Sequence, residues 1–270
     1  MRDLAKPMHF SFKAVWSGLC LLFVCLIIQG CGVAMLSDES LAKQSKAQFN
    51  EMKKRETISS RSSYQELIRE IGERIADVAQ VDLPGTEWEF VVFQKGVPNA
   101  FAMPGGKVGV NSGLIDLANG NEDEIAAVMG HEIAHVAFRH SNKRMSQAMG
   151  IALGGVILDT AMRKKSSSDR RIAGGAYAAG TMLGMALPFS RSQEREADHR
   201  GLYYAAMAGY DPRGAISFWK KMNKTGKRTP EFLSTHPDPG NRIKFLEANM
   251  DKAYALYVDA KKARGETPNP

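Results

Sequence analysis

The chain has 270 residues, 44% apolar and 24% charged, an ordinary balance for a globular protein of one large domain or two small ones. Its formal charge is +7 and its isoelectric point is near 9.3; residues 1–30 contribute Arg2, Lys6 and Lys13 against Asp3, leaving +5. No nucleic-acid motif and no aromatic-interleaved basic stripe goes with that charge, so the expected partners include no nucleic acid, and the cations read as solvated surface or as an attraction to anionic membranes.

Cys20, Cys25 and Cys31 are the only cysteines, so the chain beyond them holds no disulfide and no cysteine-ligated metal. Arg2, Lys6 and Lys13 lead into the apolar run "AVWSGLCLLFVCLII", Ala14 to Ile28. A basic start and an apolar stretch of about 15 residues fit a secretion signal and fall short of a spanning helix of about 20. "IQGC", Ile28 to Cys31, resembles a bacterial lipobox, which makes Cys31 the lipidated residue and residues 1–30 the signal peptide. The alternatives are an uncleaved anchor helix or cleavage after Ala34. Gly32, where a retention signal would carry Asp, points to an outer-membrane anchor with the domain facing the periplasm. The glutamine in the lipobox is atypical and leaves an inner-membrane anchor open. Lipid at Cys31 would tether the domain to a membrane surface without spanning it.

Residues 31–60 are polar and read as a tether or an exposed helix. "SYQELIREIGERIADVA" places Leu67, Ile71, Ile75 and Val78 at helical spacing. "EWEFVVF" reads as a strand, and "VPNAFAMPGGKVGVNSGLI" as two extended pieces joined at Pro104-Gly105-Gly106. A helix begins near Asn121, with "NEDE" acidic in its first turn. Small-residue helices follow over about 147–162 and 172–189, separated by the basic loop "RKKSSSDRR". Gly150/Gly154 and Gly180/Gly184 are spaced for close helix approach, as a packed hairpin or as a bilayer contact. Helices over 190–209, from Pro212 to Met222, and up to about Ala263 complete the order. The expected domain covers residues 61–265, with 266–270 frayed. The fold class is α+β, predominantly helical, with a small early sheet.

"GHEIAHVAFRH" carries the chemistry. Residues four apart share a helix face, so His131 and His135 can aim two imidazoles at one ion. Glu132 lies about 100° round the helix, in reach of a water on that ion without being a ligand. Zinc lowers the pKa of such a water to about 7, and a carboxylate beside it can take the proton. His140 is a poor third ligand: on a continuous helix, nine residues from His131 is two and a half turns, the opposite face, so it reads as a structural residue or as a support to a ligand. "SQEREADHRG" supplies a better one, because Glu194 and Asp198 are again four apart; one carboxylate can bind metal while the other orients a ligating histidine. The alternative for that pair is a charged helix face.

Together "GHEIAHVAFRH", "NAFAMPGG", "SRSQEREAD" and "STHPDPGNRI" resemble the zinc metallopeptidase family of HtpX and the CaaX prenyl proteases, and within it the LoiP-like branch of bacterial lipoproteins. The resemblance implies a zincin-like, gluzincin domain holding one Zn(2+) per chain. His131, His135 and Glu194 would be ligands, Glu132 the general base and acid, and Asp198 the partner of His131. By the same resemblance, His236 can occupy the water's place as a regulatory ligand, and Arg242 stabilises the oxyanion or packs against the site. Asn99, Ala100 and Phe101 would form an edge that receives substrate backbone. The expected activity is endopeptidase cleavage of misfolded or unassembled envelope polypeptides, with assembly machinery or other proteases as possible partners. The alternative is an envelope chaperone or assembly factor with secondary or latent protease activity.

Overall fold

A computed structural model of the protein describes residues 37–175, 190–224, 236 and 241–270. Cys31, Gly180, Gly184 and the signal segment lie outside the described residues. Those described fall into two compact units, one within Leu36–Arg144 and Ala186–Pro270, the other within Met145–Met185.

In the larger unit α1 (Asp38–Arg55) is capped by Ser37, whose side chain accepts from the Ser40 amide. The segment expected as a tether or exposed helix buries Leu41 and Phe49, the latter packed edge-on against Phe93 and Phe101. The helix α2 (Ser62–Ala79) follows. Its buried stripe is Ile68, Ile71, Ile75 and Ala79, with Leu67 and Val78 half-buried at its margin, about one residue round from the expected face.

Three strands come next: β1 (Glu89–Phe93), β2 (Ala100–Met103) and β3 (Lys107–Asn111), in the order β1-β3-β2. β1 runs parallel to β3, and β2 antiparallel to it. Gly105 and Gly106 turn the chain between β2 and β3 with positive φ, a conformation that glycine adopts without strain. The central strand β3 is buried along its whole length. The outer edge of β1 is covered: Ser59 N donates to Val92 O, Gln94 N to Thr57 O, and the Gln65 amide bonds both polar groups of Val92. The outer edge of β2 has no strand partner among the described residues.

A short helix, α3 (Ser112–Ala118), follows β3 at once, where the sequence reads as extended. α4 (Glu122–Ala137) starts where its acidic first turn predicts, and Asn121 accepts from the Glu124 amide. It is buried along most of its length, packed among α2, β2, α6 (Arg191–Met207) and α7 (Arg213–Lys224). α8 (Arg242–Ala248) and α9 (Met250–Ala263) close the unit.

α5 (His140–Met162) is one continuous helix. In the smaller unit its Leu153, Val156 and Ile157 are exposed, and Asp159 lies 3.7 Å from both Arg163 and Arg170. Among the described residues no helix is long and apolar enough to cross a membrane. The architecture is the helix-dominated α+β fold, with its sheet early in the chain, that the sequence predicts.

Candidate metal centre

Two helices build the site. α4 carries His131, Glu132 and His135; α6 carries Glu194 and Asp198 one turn apart. α6 is started by a reciprocal cap in which Gln193 N donates to Ser190 Oγ and Ser190 N to Gln193 Oε1. That cap sets Glu194 in the first turn, where a helix favours negative charge. The two helices cross at Gly130 and Gly201.

Four ligand atoms converge in the buried space between these helices and His236. His131 Nε2 lies 3.0 Å from His135 Nε2, 3.3 Å from His236 Nδ1 and 3.4 Å from Glu194 Oε2. Glu194 Oε1 lies 3.4 Å from His135 Nε2 and 3.1 Å from His236 Nδ1. Zinc bonds nitrogen and oxygen at about 2.0–2.1 Å, so the edges of its tetrahedron are about 3.3–3.4 Å. These separations, which draw on both oxygens of Glu194, lie at or slightly inside those edges, and three imidazoles with one carboxylate is a donor set that zinc takes. The residues fit the metal.

The surroundings favour positive charge at that point. Burial and the Arg242 cation push the His131 imidazole down, but hydrogen bonds to Asp198 and Glu194 outweigh them, and it is pushed up to about 9. Burial would raise the Glu194 carboxyl, yet hydrogen bonds from His131, His135 and His236 hold it far below the usual carboxylate range. His135 is lowered, chiefly by burial. Burial also pushes Glu132 up, against the pull of His236 and His131. Its Oε1 lies 3.4 Å from His236 Nε2.

Asp198 Oδ1 accepts from His131 Nδ1 at 2.9 Å, the contact the resemblance implies. Arg242 reaches the same oxygen from Nε at 2.8 Å and from Nη2 at 2.6 Å, and Glu194 Oε2 from Nη2 at 3.1 Å. Its guanidinium sits 3.9 Å over the Trp219 ring. A buried arginine thus joins Glu194 and Asp198, and despite burial it holds Asp198 low, together with His131.

Asn99, Ala100 and Phe101 stand at β2. Asn99 O accepts from Asn111 N at 2.9 Å, and Ala100 and Phe101 pair in register with Val110 and Gly109. The Phe101 ring covers Gly109 and packs against Phe93 and Phe49.

His140 is where the expectation from spacing meets its limit. α4 ends at Ala137, Phe138 caps it, and Arg139 takes a left-handed φ of 55°. The helix is therefore not continuous, and His140, the first residue of α5, swings back over His135: the two Nδ1 atoms are 2.8 Å apart. It stands outside the four converging ligand atoms. Glu196, which no motif reading singled out, lies 3.0 Å from His140 Nε2.

Comparison with known proteins agrees with this geometry. The chain is 33% identical over 192 residues to "Mitochondrial metalloendopeptidase OMA1" of Arabidopsis thaliana, covering 70% of this chain and 37% of that one. It is 35% identical over 187 residues to the Saccharomyces cerevisiae protein of that name, 65% of this chain and 50% of the other. It is 32% identical over 186 residues to "Beta-barrel assembly-enhancing protease" of Escherichia coli K12, 65% of this chain and 37% of the other. The chain thus spans half or less of the length of these relatives. The profile of Peptidase family M48 matches residues 62–250, which contain both site helices; the chain belongs to peptidase family M48.

Proposed function

We propose that the chain is a zinc-dependent endopeptidase of the bacterial cell envelope, in which His131, His135 and Glu194 hold one Zn(2+) per chain. The observation that carries this reading is the convergence of those ligand atoms, 3.0–3.4 Å apart, beside the buried Glu132 carboxylate. When bound, zinc polarises the scissile carbonyl and makes a water acidic enough to attack near neutral pH. The chain's own residues supply the remainder. Asp198 fixes the ring of His131 through Nδ1, and Arg242 holds Asp198 in place. Glu132, its carboxyl raised by burial, takes the attacking water's proton on an Oε and passes it to the leaving amine. The outer edge of β2 receives the substrate as an added strand, a recognition by backbone that suits unfolded chains. Arg242 acts by orientation or on the developing oxyanion.

We assign misfolded or unassembled envelope polypeptides as substrates, Cys31 as the lipid anchor, and the periplasmic face of the outer membrane as the location. The sequence at Ile28–Cys31 supports the anchor, and the name of the bacterial relatives supports a link to β-barrel assembly.

His236 favours a second reading. His236 Nδ1 stands among the other donors, and as a fourth ligand it would take the place that a water needs, as in a closed centre. We take this as a latent state of the peptidase; an assembly factor with a closed, structural zinc is the alternative. The experiment follows cleavage of an unfolded protein such as casein by the chain lacking residues 1–31, with Glu132→Gln, a chelated sample and His236→Ala alongside. Activity that both Glu132→Gln and chelation remove supports the peptidase. Zinc-loaded protein that stays inactive even as His236→Ala favours the assembly factor.

A further inference from the structure

His135 has two ring nitrogens with different employers. Nε2 points into the ligand cluster, 3.0 Å from His131 Nε2 and 3.4 Å from Glu194 Oε1. Nδ1 points away, to His140 Nδ1 at 2.8 Å. The far nitrogen of His140 lies 3.0 Å from Glu196 Oε2. His140 is fully buried and the Glu196 side chain is 43% exposed, so the line of groups runs from the cluster to the surface.

Hydrogen-bond logic fixes every proton along that line. A ligating Nε2 carries no hydrogen, so a neutral His135 carries its proton on Nδ1 and donates it. His140 Nδ1 must then accept, which places the His140 proton on Nε2, where it is donated to the Glu196 carboxylate. No other neutral arrangement satisfies both contacts and keeps the proton off His135 Nε2.

We propose that His140 and Glu196 are positioning residues for the metal: a Glu196–His140 pair that holds His135 in its metal-binding tautomer and orientation, as Asp198 does for His131. The inference rests on the metal-site reading above. Its device is the break after α4. On an unbroken helix His140 would face away from His135; the left-handed Arg139, φ 55°, brings it back. A non-glycine residue rarely holds that conformation, and here it delivers an imidazole to a ligand's second nitrogen. The two ligating histidines are thus supported from opposite sides, His131 from α6 at Asp198 and His135 from α5 and α6 together.

The test measures zinc affinity of the full chain by competition with a chromogenic chelator, and the visible spectrum of the cobalt-substituted protein. His140→Leu should weaken zinc binding about 10- to 100-fold and shift the cobalt bands. His140→Gln, whose amide oxygen can accept from His135 Nδ1, should recover most of the affinity. Equal losses in the two variants would mean that burial and not the acceptor matters, and would overturn the proposal. Glu196→Leu, at a half-exposed position that folding tolerates, should also weaken binding and move the bands. Wild-type affinity and spectrum in both His140→Leu and Glu196→Leu overturn the positioning role of the pair alone, whereas wild-type protein that binds no zinc overturns the metal-site reading beneath it.

Discussion

Gly130 and Gly201 touch backbone to backbone where α4 crosses α6. A Cβ on Gly130 would stand 2.6 Å from the Gly201 carbonyl oxygen, and one on Gly201 would stand 2.5 Å from His131 N. Both distances are closer than real Cβ contacts allow, and both obstacles are main chain, which cannot swing aside. The separation of the two helices, and with it the reach from Glu194 to His131 and His135, is set at this crossing.

Gly201→Ala should therefore force the helices apart, destabilising the fold by about 1–3 kcal/mol as overpacking does and lowering zinc content in parallel. Thermal melts and zinc analysis of the purified variant check this. Wild-type values for both would show that the crossing is not what sets the site.

Glu132→Gln keeps the shape of the side chain and removes its capacity to take a proton. Zinc binding should stay at the wild-type level while casein cleavage falls by about 10²–10⁴. His131→Ala and Glu194→Gln should behave differently and lose the metal as well. Full cleavage by Glu132→Gln would remove Glu132 from the chemistry.

Arg242→Met takes the cation from between two buried carboxylates, Asp198 and Glu194. Leaving a buried partner uncompensated costs about 3–5 kcal/mol, so a large fall in the denaturation midpoint is expected. The double variant with Asp198→Asn should regain part of it, since one stranded charge is gone. A midpoint no lower than wild type in the single variant would contradict this view of the cluster.

Tyr204 and Tyr210 carry a pH prediction. Burial raises both phenols to about 12, with a hydrogen bond to Asp82 adding to the effect at Tyr204. A group whose folded pKa is raised keeps its full contribution below its unfolded value, about 10, and loses it as pH rises through the folded one. Stability should decline between about pH 10 and 12, and less steeply in Tyr204→Phe. Urea midpoints measured across that range decide it; identical slopes in the two proteins would count against the assignment.

The outer edge of β2, without a strand partner among the described residues, makes a finer prediction than the sequence allows. Asn99 O accepts from Asn111 N, and pairs in an antiparallel ladder alternate, so Phe101 bonds inward to Gly109 while Ala100 and Ala102 present their polar groups outward. Ala102→Pro removes an outward donor only, as an edge strand tolerates; KM for unfolded substrates should rise severalfold with little change in Tm. Phe101→Pro should damage folding instead. If Ala102→Pro leaves KM unchanged, substrate does not add at this edge.

How much of this was legible in the sequence depended on whether the signal was local. The spacing of His131 and His135, and of Glu194 and Asp198, is a helical period, and helices follow their periods. The cap at Asn121 and the Pro104–Gly106 turn are local chemistry too. The contact of His140 with His135 escaped because it depends on a left-handed arginine, and nothing about Arg139 advertises that conformation as a glycine would. The α3 helix was hidden because "NSGLI" continues an extended run and its Gly113 weakens the helical signal. α1 looked like a polar tether because only a few apolar residues, Phe49 among them, join it to the fold, and their partners Phe93 and Phe101 lie far along the chain. Arg242 and Glu196 gained their neighbours from tertiary approach alone.

The brevity of β2 has a further consequence. An edge that accepts any backbone has no chemical means of refusing a second copy of this chain, and long bare edges are where proteins aggregate. With only Ala100 and Ala102 facing outward, β2 offers two donors and two acceptors. On the proposed reading that would be enough to line up a strand for one cut and too little to hold it afterwards, so a spent peptide would leave and a sister molecule would find no lasting grip.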